Sequence, residues 1–321
     1  MILALMFAVL VGMLVAGFPI YLCLTGASLA YFVLSPDLNL LLVVQRIVTA
    51  PDSFTLLAVP FFIFAGQVMN TGGVTERIFA FARNLVGHFR GGLGYVNVLA
   101  SVIFAGMSGS ALADAGGLGL VEIKAMRDDG YEDDFSIGVT AASSTIGPII
   151  PPSIPFVIYG AIANVSIGGL FIGGIVPGLL MGAALAVMVY AFAKKRDYPR
   201  APRATLGELF ASLKNSFLAL LMPLIIIGGI WSGFFTPTES AFVSIIYALI
   251  VTGFVYRELS LKNLTTLAIE TIRIVAPSIM IVASASLFGW IMNYEKIDRL
   301  LIDFILGRSE EHTSELQSRQ S

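Results

Sequence analysis

The chain has 321 residues, a formal net charge of −2, 12% charged side chains and 57% hydrophobic ones, with a mean hydropathy of +0.87. A soluble domain carries about 25% charged residues, so the composition excludes one, and the near-zero charge gives nucleic acid no electrostatic footprint. What remains is an all-α polytopic membrane protein, with a lipid bilayer as its solvent and several apolar stretches near or above the ~20 residues of a helical span.

The chain begins directly in apolar sequence, without the basic region and small-residue cleavage site of a signal peptide. Residues 2–34 are apolar for 33 positions, about 50 Å as a single helix. Gly17-Phe18-Pro19 interrupts them, leaving one kinked helix or two short ones. The lone Cys23 lies in this run; it reads as a small buried side chain, with no disulfide or metal framework to join. Residues 35–53 read as a loop with a short interfacial or re-entrant piece, and 54–70 as a span. In 73–90 the residues Ile78, Phe79, Ala82, Leu85 and Val86 share one helical face, with Glu76, Arg77, Arg83, Asn84 and His88 largely elsewhere. That pattern predicts an amphipathic helix lying in the interface.

Residues 93–125 then enter, break at Ser108-Gly109-Ser110 and leave, and 135–160 form a span broken near Gly147-Pro148. Residues 167–193 form another, ending in Lys194-Lys195-Arg196. The polar linker 194–214 is basic and is placed in the cytoplasm by the positive-inside rule. Spans over 216–233 and 239–255 flank a connector without Lys or Arg, which therefore faces out; 264–293 form a further span. With Lys124–Asp134 and 194–214 on one side, 93–125 has both ends inside and should be a re-entrant hairpin.

The chain is organised around 97–155, where two helix-breaking islands interrupt apolar sequence. The first, Gly106–Gly117, contains Ser108, Gly109, Ser110 and Asp114; the second runs from Ser143, Ser144 and Thr145 through Gly147 and Pro148 to Pro155. Broken backbone in a bilayer survives only inside protein or against a cavity. Freed carbonyls, helix ends and short hydroxyls also suit a bound cation or an anionic substrate. These residues are the candidate ion- and substrate-binding site. Asp114 follows Ser110 by four positions and reads as sharing its helical face; an acid at membrane depth either serves an ion or ties the hairpin to a neighbour. Against this stands the ordinary reading of each hydroxyl as a donor to the carbonyl one turn back. Glu239, after Thr236-Pro237-Thr238, reads as a helix cap.

Gly66-x-x-Met69-Asn70-x-x-x-Val74 recurs as Gly289-x-x-Met292-Asn293-x-x-x-Ile297 at an offset of 223 residues. Ile47-Val48-Thr49-Ala50-Pro51 is echoed, with a small shift, in Arg273-Ile274-Val275-Ala276-Pro277. Such a repeat fits secondary transporters and puts the counterpart of Ser108 near position 331, past the 321 residues present. The expected organisation is a first repeat over 1–200, the start of a second over 201–307, and a non-native tail over 308–321, whose RSEEHTSELQS reads like a translated sequencing adapter.

Several motifs together resemble the large membrane subunit (DctM-like permease) of tripartite ATP-independent periplasmic transporters. They are Pro60–Gly66, His88–Leu93, Phe104–Ala111, the run Ser143–Pro155 (SSTIGPIIPPSIP) and Phe235–Glu239, across about residues 1–307. The resemblance implies an inverted-repeat, elevator-type importer of organic acids, C4-dicarboxylate-like or sugar-acid, in the bacterial inner membrane. It implies sodium as the coupling ion, with Ser108, Ser110, Ser144 and Thr145 as candidate ligands, and no other cofactor. It further implies two partners: a small DctQ-like membrane subunit and a DctP-like periplasmic binding protein. Family members continue through a second hairpin, so the second repeat is incomplete and the literal chain is expected to be inactive as it stands.

The rival readings are a stand-alone sodium-coupled carboxylate symporter and an inactive fragment. An intramembrane serine protease is a remote third, resting on Gly106-Met107-Ser108-Gly109 and His88; the histidine lies on the interfacial helix, where a general base within ~3 Å of the serine is not expected. No phosphate-loop motif for an ATP-driven pump is present, and no enzymatic activity is expected.

Overall fold

The computed structural model describes residues 1–297, and no strand occurs among them. In chain order the helices are α1 (Ile2–Val15), α2 (Ile20–Leu34), α3 (Leu41–Thr49), α4 (Ala58–Thr71, entered through a 3₁₀ turn at Phe54–Leu57) and α5 (Val74–Val86). Then come α6 (Gly92–Ser108), α7 (Ala111–Ala113), a π-helical turn (Asp114–Leu118) and α8 (Gly119–Asp128). These are followed by α9 (Asp133–Ser144), α10 (Ile154–Ala163), α11 (Ile167–Arg196) and α12 (Leu206–Trp231). Last are α13 (Pro237–Leu249, prolonged by a π-helical stretch to Val255) and α14 (Leu261–Tyr294). The expected tail at 308–321, and the end of the incomplete second repeat before it, lie outside the described residues.

Five of the described helical stretches are long and apolar enough to cross a bilayer: Phe54–Thr71, Ile167–Arg196, Leu206–Trp231, Pro237–Val255 and Lys262–Tyr294. The chain divides into two compact units, Ser53–Val275 and Met1–Asp52 with the stretch from Ala276 on. In the latter, the apolar run 2–34 is two helices. Gly17 (φ 80°) ends α1 with its N–H on Leu14 O (3.0 Å), and Phe18 N–H reaches Met13 O (3.1 Å), the paired bonds of a left-handed helix stop. Pro19 then opens α2. Met6, Ala27, Phe32, Val43, Leu287 and Ile291 form this unit's core, with Phe32 stacked on Trp290 at 5.5 Å between ring centroids.

The larger unit is built on Phe62, Phe104, Phe171, Met107 and Met222, all fully buried or nearly so. Each carries about 1.5–3 kcal/mol of burial relative to exposure to water; in a bilayer, close packing and not dehydration does most of that work. Helices α4 and α13 lie side by side, and Thr238 Oγ1 donates to Phe54 O (3.0 Å), so the two start at one end of this unit. At the other end, polar connections meet. Tyr131 Oη accepts from Leu93 N (3.3 Å), which brings the base of α6 to the chain just beyond α8. Arg196 pairs with Glu132 and with Asp134 (2.9 Å), and Arg90 pairs with Asp197. The Arg196 guanidinium holds the Asp134 carboxyl below the usual carboxylate range. Such solvent-facing pairs contribute little stability; their value here is in showing that residues 93–128 leave and return at the same end.

One helix start differs from the sequence reading. α12 begins at Leu206, not near 216, because Thr205 and Glu208 form a reciprocal capping box (Thr205 N to Glu208 Oε2, 2.7 Å; Glu208 N to Thr205 Oγ1, 3.2 Å). α13 begins at Pro237 through the same device, with Glu239 Oε2 accepting from Thr236 N at 2.8 Å. The cap reading of Glu239 is what the structure displays.

Candidate transport site

The two islands that break the sequence meet in space. α6 stops at Gly109, whose φ of 60° is left-handed and whose missing Cβ is required: one built there would sit 2.2 Å from Pro152 O. Ile154 N donates back to Gly109 O (3.4 Å). A Cβ on Gly147 would meet the Ser110 carbonyl at 3.2 Å, so the hairpin tip and the break after α9 are packed backbone to backbone. Both restarts are capped by serine. Ser110 Oγ accepts from Ala113 N (3.4 Å) at α7; Ser153 Oγ accepts from Phe156 N (3.3 Å) at α10 and donates to Pro148 O.

On one side of the tip a cleft of about 300 Å³ opens between the hairpin, α4 and the first half of α14. Ser108 and Ser110 line it, with Gly116 and Gly117 from the second arm, Gln67 and Asn70 from α4, and Glu270 from α14. Close approach is again a matter of glycine. A Cβ on Gly66 would lie 3.1 Å from Ser108 Cα, and one on Gly117 would lie 2.3 Å from the Asn70 amide. Asn70 Oδ1 is held by Thr75 Oγ1 at 2.6 Å, which fixes the amide that faces the cleft.

The remaining candidates are distributed differently. Ser143, Ser144, Thr145, Gly147, Pro148 and Asp114 do not line this cleft. Ser144 Oγ donates to Thr140 O (2.7 Å) and Thr145 Oγ1 to Ala142 O (2.6 Å), the ordinary back-bonding of helical hydroxyls, which leaves their oxygen lone pairs available as acceptors. Ser143 belongs to a buried network between α6 and α9: its Oγ reaches Asn97 Oδ1 (2.7 Å) and accepts from Ser101 Oγ (3.1 Å), while Asn97 Nδ2 donates to Thr140 Oγ1 (2.7 Å). Asp114 stands one turn beyond Ser110, its N–H on Ser110 O (3.1 Å), but only Ser110 lines the cleft. Ser110 is the extended cap residue before α7, and Asp114 opens the π-helical turn with its side chain fully buried.

Glu122, on α8, is the residue the sequence reading passed over. It too is fully buried, and none of the four carboxylate oxygens of Asp114 and Glu122 has a hydrogen-bond partner among the described residues. Its signal was the same as that of Asp114, an acid inside the expected hairpin, but Lys124, Arg127 and Asp128 close behind it gave the stretch the look of a loop. Gln67 and Glu270 carried no local signal and Asn70 only its place in the recurring motif, since only the fold brings α4 and α14 to the hairpin.

A multi-pass helical chain whose hairpin tip abuts a broken helix, beside a small cleft that carries serine, amide and carboxylate groups among apolar ones, has the plan of a membrane permease. The chain belongs to the family of tripartite ATP-independent periplasmic transporters, DctM component, whose profile matches residues 7–315. It is 50% identical over 299 residues to the sialic acid TRAP transporter large permease protein SiaM of Vibrio cholerae, covering 93% of this chain and 70% of that protein. It is 51% identical over 291 residues to the sialic acid TRAP transporter permease protein SiaT of Haemophilus influenzae, covering 91% of this chain but 47% of the relative. The 2,3-diketo-L-gulonate TRAP transporter large permease protein YiaN of Escherichia coli is 40% identical over 298 residues, 92% of this chain and 70% of its own. As a large permease of this family, the chain is a multi-pass protein of the bacterial inner membrane.

Proposed function

We propose that this permease imports an organic acid by secondary active transport coupled to sodium, taking its substrate from a periplasmic binding protein and working beside a small membrane subunit. The observation that carries the reading is the cleft at the hairpin tip, where Ser108 and Ser110 present hydroxyls beside unwound backbone. A monovalent cation is satisfied by several neutral oxygens, and unwound carbonyls with helix ends supply them in transporters. Ser144 and Thr145, which do not line the cleft, keep acceptor lone pairs that a cation can use. Relatives named for sialic acid, 2,3-diketo-L-gulonate and C4-dicarboxylates support an organic acid as the substrate class. No arginine lies in 91–123 or 135–193, so a substrate carboxylate would meet helix ends, hydroxyls and bound cations.

The test is uptake into proteoliposomes holding the permease, carried on through a second hairpin as in family members, with its small subunit, given the binding protein and labelled sialic acid, diketogulonate or succinate. Uptake of at least one acid is expected to need an inward sodium gradient, and Ser110→Ala is expected to weaken it about tenfold, the equivalent of ~1.4 kcal/mol of lost ligand binding. Uptake indifferent to sodium would remove the coupling ion from the proposal. Equal uptake without the binding protein would favour the stand-alone symporter.

A further inference from the structure

A larger hollow, about 670 Å³, lies at the start of α5 and apart from the residues of the cleft. It falls within the roughly 300–1,000 Å³ of small-ligand sites. Its polar wall is Glu76 and Arg77 from α5, Lys214 and Asn215 from the third turn of α12, and Tyr256 and Glu258 from the connection after α13. Gly73, at the junction of α4 and α5, closes one side, so the ends of several helices meet there. The same end of the larger unit carries Arg90, Arg196 and Asp197 with their ion pairs, and the basic linker that follows α11. By the positive-inside rule it is the cytoplasmic membrane boundary.

The charges in this wall are balanced and only half committed. Arg77 Nη2 pairs with Glu258 Oε1 (2.8 Å), Nη1 donates to Gly73 O, and the guanidinium lies 3.8 Å above the Tyr256 ring. Glu76 and Lys214, both exposed, have no hydrogen-bond or ion-pair partner among the described residues. The hollow therefore offers two cations and two carboxylates, one of each unpaired. Beside it the chain turns apolar side chains outward: Phe217 is 54% exposed, Phe254 78% and Val255 53%.

We propose that the hollow binds the headgroup of a zwitterionic aminophospholipid of the phosphatidylethanolamine type. Lys214 and the outer edge of the Arg77 guanidinium receive the phosphate, and Glu76 with Glu258 receives the ammonium. Phe217, Phe254 and Val255 lie where the acyl chains leave the headgroup for the bilayer. Charge balance chooses this class over an anionic lipid: acidic headgroups are recognised by clusters of Lys and Arg, and two carboxylates in the wall repel an uncompensated phosphate. The lipid would brace the interfacial helix α5 against α12, at the far end of the unit from the connector between α12 and α13.

The test is native mass spectrometry of the full chain purified in mild detergent, with phosphatidylethanolamine or phosphatidylglycerol added in equal amounts. The parent protein is expected to retain phosphatidylethanolamine at least tenfold more strongly. The double variant Glu76→Ala, Lys214→Ala is expected to lose that preference, while Lys195→Ala keeps it. All three positions are exposed, so melting curves should stay close to the parent's and report that folding is intact. Equal retention of phosphatidylglycerol, or a double variant that holds phosphatidylethanolamine as well as the parent does, overturns the proposal. So does displacement of the lipid by soluble phosphoethanolamine at equal concentration, which would make the hollow a metabolite site.

Discussion

At Asp114 and Glu122 two carboxyl side chains are fully buried with no hydrogen-bond partner among the described residues, a condition protein interiors avoid. An ionised carboxylate in such a place costs several kcal/mol unless something compensates it. Replacing Glu122 by its neutral isostere removes that cost and keeps the volume. Glu122→Gln is therefore expected to melt at or above the parent's temperature in detergent, whereas Glu122→Lys, which puts an ammonium into the same space, should melt several degrees lower. A Gln variant as damaged as the Lys variant would mean that the carboxylate has a cationic partner in the membrane. The sequence made Asp114 visible because it stands alone among Gly, Ala and Leu, and hid Glu122 behind the charges that follow it. The network of Asn97, Ser101, Thr140 and Ser143 was beyond reach in another way: Ser143 stood out in the second island, but its partners are unremarkable locally, and the pairing joins positions 43 apart, as in the Asn97–Thr140 bond.

The helix breaks were legible at the level of elements because Gly, Pro and Ser impose backbone geometry wherever they stand. Gly109 is the clearest instance, needing both a left-handed φ of 60° and the space that a Cβ would take from Pro152 O. The left-handed conformation alone costs an L-residue about 1–2 kcal/mol, and a backbone collision adds to it. Gly109→Ala is thus expected to lower the melting temperature and to impair uptake together, while Ala111→Gly, two positions on, should retain most uptake. Ser153→Ala removes the cap of α10 and the bond to Pro148 O, a loss of about 1 kcal/mol for the cap; a melting temperature unchanged by it would show that the break is held by packing alone. What the sequence did not show was exposure. One turn of helix separates Ser110 from Asp114, and Asp114 N does reach Ser110 O (3.1 Å), yet Ser110 lines the cleft while Asp114 is fully buried. The start of α12 was misplaced for another reason: a capping box can open a membrane helix in polar sequence that hydropathy assigns to the loop.

Over the whole chain, the two sequence motifs that recur at an offset of 223 residues also end their helices alike. Asn70 is the penultimate residue of α4 and Asn293 the penultimate residue of α14. The class of protein and its family were legible because a bilayer permits so few backbone solutions and because SSTIGPIIPPSIP is long. Orientation can be read only from charge, and it can be tested directly. Within the larger unit, α12 runs from a basic linker to Ser232-Gly233, and α13 returns to Arg257. Lysine and arginine near span ends favour the cytoplasm, so Ser232 should face the periplasm and Arg200 the cytosol, both on exposed positions. Cys23 is completely buried, which leaves a low background for thiol labelling. In intact spheroplasts a membrane-impermeant maleimide is expected to label Ser232→Cys and to spare Arg200→Cys until the membrane is opened. The reverse pattern would invert the unit. It would move the Arg77–Lys214 hollow to the periplasmic boundary, and it would set the hairpin's open end, at Tyr131 and Leu93, on the periplasmic side as well.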